Sequence, residues 1–310
     1  MRKLASLAAF LAVAAAACGG GSGLVAASVD GADITVGDVN SLIDSDGATV
    51  TKAQFAQFLS FSIQWEVIFP AAEADYGITT TDEEAIAEAD RIFEEVAAEG
   101  QTREDFLSGR GVTEEFLLNI ARQGLLDIEI REILTGEVAD PTTEEVEAAR
   151  QQAEIGLTTA CVSHILVETE EEAQEALDRL EAGEEFGALA TELSTDTGSA
   201  ANNGILPCSA PGEYVEPFRD AVLAATVGEV VPEPVESEFG FHVILVTDLQ
   251  EPAAEDFPTD EELADSVRDA AVIEELEAWF LGALEDADVT VGEEYGTWQA
   301  NPPQVVAPVD

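Results

Sequence analysis

Two stretches decide the fold of the middle of this chain, Ser163-His164-Ile165-Leu166-Val167 and Phe239-Gly240-Phe241-His242-Val243-Ile244-Leu245-Val246. Each is an apolar run typical of a buried β-strand, and each contains one of the two histidines of the whole protein. A buried histidine needs hydrogen-bond partners. Two such strands placed side by side would let the rings satisfy each other, although the pattern alone also fits two unrelated core histidines.

The segment between these strands has the pattern of helices joined by a loop. Apolar residues at helical spacing predict helices over 169–181, around 186–193 and over 217–225, and residues 194–214 are rich in loop formers. The order β-α-α-loop-α-β predicts one compact α+β unit over residues 160–248.

The flanking regions are predicted to be mainly helical. Residues 26–157 begin with a short strand-like piece and continue as helices with wide apolar faces. Residues 259–298 form one more apolar helix and a closing strand, and such a helix needs a partner in water. We therefore expect a discontinuous helical lobe of 26–157 plus 259–298, interrupted by the α+β unit, with residues 302–310 as a disordered tail.

The charge balance excludes one class of partner. The chain has 65 acidic against 12 basic residues, a formal net charge of −53. Such a surface repels phosphate backbones, so we expect no nucleic-acid binding. It is a solvated, self-repelling surface of the kind that high salt would screen.

The N-terminus is typical of a targeting segment. Two basic residues precede a predominantly apolar run over 4–17, and Cys18 follows at once with a glycine-rich tract. This run is too short to span a bilayer. Residues 1–18 resemble a bacterial lipoprotein signal and 19–25 a flexible linker. Cleavage before Cys18 would leave a lipidated cysteine that anchors the exported chain to the outer face of the cell membrane. The alternative is a plain secretory signal with an incidental cysteine.

Export also affects the interpretation of Cys161 and Cys208. In an oxidising compartment a disulfide between them is the default, and free buried thiols are the alternative. With His164 and His242 they also have the composition of a zinc site. Residues 161 and 164 face opposite sides of a regular strand, so we expect no metal there.

The α+β unit resembles the parvulin-type peptidyl-prolyl isomerases in five ordered motifs. They occupy residues 163–167, 193–200, 217–221, 228–230 with 234–235, and 239–244. The flanking helical lobe resembles the chaperone lobes of SurA-type and PrsA-type foldases. The resemblance implies a fold with a parvulin-like unit inserted in a chaperone-like lobe, and a reaction that needs no cofactor.

The resemblance also assigns roles to residues. It implies that the catalytic centre consists of His164, Asp196 and His242. It implies that the proline-containing substrate is bound by Leu206, Tyr214, Phe218 and Ser237.

The chain departs from the family in one segment. The usual Gly-Gly-Asp-Leu-Gly-aromatic run is replaced by Asn203-Gly204-Ile205-Leu206-Pro207-Cys208. An acid, a glycine and an aromatic residue are missing at the expected rim of the pocket, which affects rate and substrate preference. A bridge from Cys208 to Cys161 would pin this segment to the first strand.

These observations predict an exported, membrane-tethered folding factor that isomerises X-Pro bonds in unfolded or partly folded exported proteins. One alternative is a non-catalytic holdase that uses the parvulin-like unit as a scaffold. Another is a hydrolase built from Ser194, Asp196 and a histidine. The hydrolase is disfavoured because the chain has no Gly-x-Ser-x-Gly elbow and its histidines lie inside strands.

Overall fold

The computed structural model describes residues 23–45 and 49–308, which divide into two compact units. The first unit combines the residues up to Val138 with those from Ala271, and the second contains Ala139–Ala270. The first unit is thus discontinuous in sequence, with boundaries at 138 and 271 rather than at the 157 and 259 expected from the sequence. The predicted signal at 1–18 lies outside the described residues.

The elements follow one another in a simple order. The first unit starts with β1 (Val25–Val29), β2 (Ala32–Thr35), α1 (Val36–Ser41), α2 (Lys52–Tyr76), α3 (Asp82–Val96), α4 (Arg103–Ser108) and α5 (Glu114–Glu137). Next come α6 (Thr143–Leu157), β3 (Thr159–Val167), α7 (Glu170–Glu181), α8 (Phe186–Leu193), α9 (Thr197–Ala200), α10 (Glu216–Ala224), β4 (Val235–Ser237) and β5 (Gly240–Gln250). The chain ends with α11 (Asp260–Asp286), β6 (Val289–Val291), β7 (Thr297–Ala300) and β8 (Pro303–Val306).

Threonine caps start several of these helices. Thr51, Thr81 and Thr142 each accept a hydrogen bond from the backbone three residues on, and the residue at that position bonds back to the cap. These capping boxes satisfy backbone N–H groups that a helix leaves free at its start. None of the helices within the described residues is both long and apolar enough to cross a membrane.

The core of the first unit is built around α2. Its buried side chains, among them Leu59 and Ile63, pack with the antiparallel sheet β2-β1-β6. β6 and β1 are far apart in sequence but pair with each other, with Val29 opposite Val289. The return of the chain from the second unit thus completes the core that its first strands began.

The expectation of a disordered tail over 302–310 is wrong for the residues that the structure describes. Residues 303–306 form β8, which pairs with β7 in an antiparallel hairpin. Val305 is buried, and its backbone N–H donates to the Ser60 hydroxyl of α2 at 2.8 Å. Packing on α2 stabilises the hairpin. Residues 309 and 310 lie outside the described part.

The second unit is an antiparallel sheet of order β3-β5-β4 with helices on both faces. Ile165 and Val243 face α7 and α8, whereas Val162 and Ile244 face α10. This alternation is the period-two pattern of a strand buried on both sides. The predicted architecture, an α+β unit within a mainly helical chain, is confirmed.

Gly240, at the start of β5, gives a test of this packing. Its φ is +129°, and a Cβ at this position would lie 2.4 Å from the Val167 carbonyl oxygen. We expect Gly240→Ala to lower the free energy of unfolding of the second unit by about 3 kcal/mol or more, because strain and overlap add. The measurement is the opening free energy of the β3 and β5 amides by hydrogen exchange.

Gly156 in α6 is the matched control, since a Cβ there would meet nothing within 4 Å. Gly156→Ala should raise stability by roughly 0.5–1 kcal/mol through helix propensity. Equal effects of the two substitutions would contradict this account of Gly240.

Candidate active site

The pairing of β3 with β5 brings the two histidines into contact. In the register of these strands, Leu166 lies opposite His242 and His164 opposite Ile244. Both histidine side chains are buried, and their Nδ1 atoms lie 3.2 Å apart. The rings are nearly parallel, with 18° between their planes. Each histidine thus supplies a hydrogen-bond partner for the other inside an apolar sheet.

The loop after α8 delivers Asp196 to His164. The backbone at Leu166 anchors this loop, because its N–H donates to the Ser194 hydroxyl at 3.1 Å and its carbonyl accepts from the Thr195 N–H at 2.7 Å. Asp196 then caps the short helix α9 and places Oδ2 2.8 Å from His164 Nε2. Ser194, the candidate nucleophile of the hydrolase alternative, is therefore used in holding the loop.

Ser199 is a member of the site that the sequence analysis missed. Ser199 is buried, and its hydroxyl donates to Asp196 Oδ2 at 2.5 Å. The Ser199 Oγ atom also lies 3.1 Å from His164 Nε2. The signal was present in the 193–200 motif, where a hydroxyl stands three residues after the acid. Its contact with His164 depends on how α9 turns, and the motif does not show that.

On the other side of the histidine pair, Ser237 partners His242. The Ser237 hydroxyl lies 2.7 Å from His242 Nε2 and accepts a hydrogen bond from the Phe239 backbone N–H at 3.1 Å. The tight turn between β4 and β5 holds it there. The network therefore extends without a break from the Phe239 amide to Asp196.

The donors and acceptors of this network are satisfied together if each group donates a hydrogen bond to the next, from Ser237 toward Asp196. An ionised Asp196 only accepts hydrogen bonds, and Ser199 gives its single proton to it, so His164 Nε2 must carry a hydrogen. His164 Nδ1 then accepts from His242 Nδ1–H. His242 Nε2 accepts in turn from the Ser237 hydroxyl. Both histidines are neutral in this arrangement, and they are opposite tautomers.

The local electrostatics agree with an ionised Asp196 and a neutral His242. The pKa of Asp196 is lowered to about 2, first by the Ser199 hydroxyl, then by His164, with the Gly198 amide contributing. The pKa of His242 is lowered to about 4, mainly because burial penalises its charged form and secondly because His164 is adjacent. A negative charge therefore lies at the Asp196 end of the network, and His242 at the other end stays neutral near pH 7.

An aromatic cluster covers the histidines. Phe218, buried on α10, presents its ring edge-to-face to His242 at 5.1 Å and to His164 at 5.8 Å between centroids. The ring of Tyr214 lies 5.0 Å from that of Phe218. Leu206 is half-buried against the same cluster. The structure thus brings together all seven residues that the sequence assigned to catalysis and substrate binding.

The segment that departs from the family pattern lies along the free edge of β3. The Gly204 carbonyl accepts from the His164 N–H at 2.8 Å, and the Leu206 N–H donates to the Val162 carbonyl at 2.9 Å. A disulfide joins Cys161 to Cys208. A Cβ on Gly204 would lie 2.3 Å from the His164 carbonyl oxygen, so only glycine allows this close approach.

The geometry disfavours both the zinc site and the hydrolase. Cys161 and Cys208 offer no thiolates, because they are bonded to each other. In a Ser-His-Asp triad the serine and the acid bind different nitrogens of the histidine. Here Ser199 and Asp196 share His164 Nε2.

Comparisons with known proteins identify the family of this chain. Residues 163–248 match the family model described as Rotamase, PPIC-type PPIASE domain. The chain is 34% identical to the foldase protein PrsA of Halalkalibacterium halodurans over 75% of this chain and 67% of that protein. It is 30% identical to PrsA of Oceanobacillus iheyensis over 69% of this chain and 70% of that protein.

A crystal structure of peptidylprolyl isomerase (PrsA) from Bacillus cereus aligns with 86% of this chain and 93% of its own, at 25% identity and a TM-score of 0.44. The family assignment rests on the sequence identities and the domain match. The chain belongs to the PrsA foldase family, and its middle unit is a parvulin-type peptidyl-prolyl cis–trans isomerase domain.

Proposed function

We propose that this folding factor is exported, tethered to the membrane by lipidated Cys18, and isomerises X-Pro bonds of unfolded exported proteins at His164, Asp196 and His242. The observation that carries the proposal is the unbroken hydrogen-bond network beneath an aromatic pocket. A polar network of this kind inside an apolar sheet is expensive to bury, which favours a functional role.

The reaction makes modest chemical demands. Rotation about a prolyl bond has a barrier of about 20 kcal/mol, and no bond needs to break. Catalysis requires that the site bind the twisted amide better than either planar form. Phe218, Tyr214 and Leu206 supply an apolar surface for the proline ring, and this surface removes water from the adjoining carbonyl.

Asp196 acts through its charge. A planar amide places partial negative charge on its carbonyl oxygen by resonance, and twisting the bond removes part of it. A carboxylate near that oxygen therefore disfavours the planar forms more than the twisted one. In the neutral arrangement of the two histidines, no cation next to Asp196 cancels its charge.

The first unit supports a second activity, the holding of unfolded clients. A largely apolar cavity of about 330 Å³ lies among α2, α5, α11 and β8, with Leu126, Ile130, Trp279 and Phe280 in its wall. Exposed apolar concavities of this size mark binding sites on soluble proteins. We propose that this cavity takes apolar stretches of client chains.

Asp196→Ala separates the two activities. We expect kcat/KM for an X-Pro peptide to fall by about 10²-fold, as when one preorganised electrostatic group is removed from an enzyme. Suppression of the aggregation of an unfolded client should remain at the wild-type level. A protease-coupled isomerisation assay and light scattering measure the two.

Asp196→Asn is the matched control, because it keeps the shape of the side chain and removes the charge. Activity as low as in the alanine variant supports the role of the charge. Wild-type activity in the Asn variant would contradict it. A folded wild-type protein without isomerase activity would overturn the enzymatic part of the proposal.

The two histidines can be observed directly, because the chain contains no others. Nitrogen-15 NMR should show His164 as the Nε2–H tautomer and His242 as the Nδ1–H tautomer at pH 7. Since the pKa of His242 is lowered to about 4, it should stay neutral at pH 5.5. An unfolded chain protonates histidine near pH 6.5, so His242 destabilises the fold progressively as pH falls from 6.5 to 4. Titration of His242 near pH 6.5 in the folded protein would contradict the assignment.

Cys18→Ala tests the anchor. We expect the wild-type chain in the membrane fraction and the variant in the soluble exported fraction, because a single diacyl-modified residue would hold the mature chain at the bilayer. Mass spectrometry of the N-terminal peptide should show lipid on Cys18. A double substitution at Cys161 and Cys208 is the control and should leave the fractionation unchanged. Membrane retention of Cys18→Ala would refute the lipid anchor.

A further inference from the structure

The segment from Gly204 to Ser209 is an added edge of the catalytic sheet. Four backbone hydrogen bonds tie it to β3: His164 N–H to Gly204, Leu206 N–H to Val162, and a reciprocal pair between Ala160 and Ser209, at 2.8 to 3.0 Å. The Cys161–Cys208 disulfide lies within this ladder. The segment therefore has both a backbone and a covalent attachment to the strand that carries His164.

Three contacts link this edge segment to the isomerase site. The Gly204 carbonyl holds the backbone N–H of His164. Leu206 packs on the cluster that contains Phe218. The Ser209 hydroxyl donates to the Tyr214 hydroxyl at 3.2 Å. A shift of the segment would therefore move the residues of the proline pocket more than those at the Asp196 end of the network.

Without the bridge, this attachment would be weak. Ile205 is 48% exposed, and Cys208 is exposed as well. Pro207 has no N–H to add to the ladder. Edge segments with few buried contacts and exposed hydrogen bonds open at low free-energy cost. The covalent link is therefore the strongest constraint on the position of Leu206.

We propose that the Cys161–Cys208 disulfide positions the rim of the substrate pocket, so that client binding at the isomerase site depends on the bridge being oxidised. The inference rests on the proposed function, because it assumes that X-Pro segments bind against Leu206, Tyr214 and Phe218. A dithiol reductant breaks the S–S bond. Each cysteine sulfur gains one electron and one proton, and the dithiol loses two of each and closes into its own disulfide.

The effect should fall on KM rather than on kcat. The His164–His242–Asp196 network keeps its own side-chain bonds, and the Leu166 backbone holds the Asp196 loop independently of the edge segment. Loss of the bridge displaces one wall of the pocket and leaves the polar centre in place. A displaced binding contact costs roughly tenfold in kcat/KM.

The experiment compares oxidised and dithiothreitol-treated full-length protein in an NMR exchange assay of an X-Pro peptide, which needs no protease. We expect reduction to raise KM roughly tenfold with kcat nearly unchanged. Free-thiol titration confirms the redox state. Hydrogen exchange should quicken at the His164, Leu206 and Ser209 amides, and the β5 amides should keep their protection.

The double variant Cys161→Ala/Cys208→Ala is the control. It should show the reduced protein's KM and no response to dithiothreitol. An unchanged KM in the reduced wild type would overturn the inference, as would global loss of structure on reduction or a fall confined to kcat. Inactivity of the oxidised wild type would instead overturn the proposed function on which the inference rests.

Discussion

The contact between the Nδ1 atoms of His164 and His242 constrains the rest of the second unit. Two imidazoles buried in an apolar sheet need hydrogen-bond partners, and the observed register of β3 against β5 lets them bond each other. A slip of one residue would turn one ring to the opposite face, toward α7 and α8. The outer nitrogens then need partners as well, and Ser237 and Asp196 satisfy them. Sheet register, tautomers and loop position are thus parts of one hydrogen-bonding requirement.

The network also explains how an anion persists in a protein of net charge −53. Long-range repulsion from the other carboxylates should raise the pKa of Asp196, yet it is lowered to about 2. Hydrogen bonds from Ser199, His164 and Gly198 act at contact distance, whereas the surface charges act across screening solvent. These hydrogen bonds lower the pKa of Asp196 more than the surface carboxylates raise it. The negative charge of Asp196 is therefore maintained by groups within the site itself.

The sequence predicted the parts of the site that follow from strand pattern and motif order. His164 and His242 were singled out because each is one ring inside an apolar strand, and Asp196 because residues 193–200 resemble a family motif. Ser199 was missed because its contact with His164 depends on the turn of α9. The β7–β8 hairpin was missed for a different reason. Its stabilising partner, Ser60, lies 245 residues away in sequence, and a local pattern carries no information about such a contact.

The combination of an apolar cavity and an isomerase site in one chain has a kinetic rationale. Uncatalysed prolyl isomerisation takes tens of seconds, whereas collapse of an unfolded chain takes microseconds. During that interval a client exposes apolar segments that aggregate. A cavity that bound such segments, as proposed above, would keep the client soluble, and the isomerase site would shorten the time for which it must do so. Each activity would then reduce the demand on the other, which is a physical reason for both to occur in one folding factor.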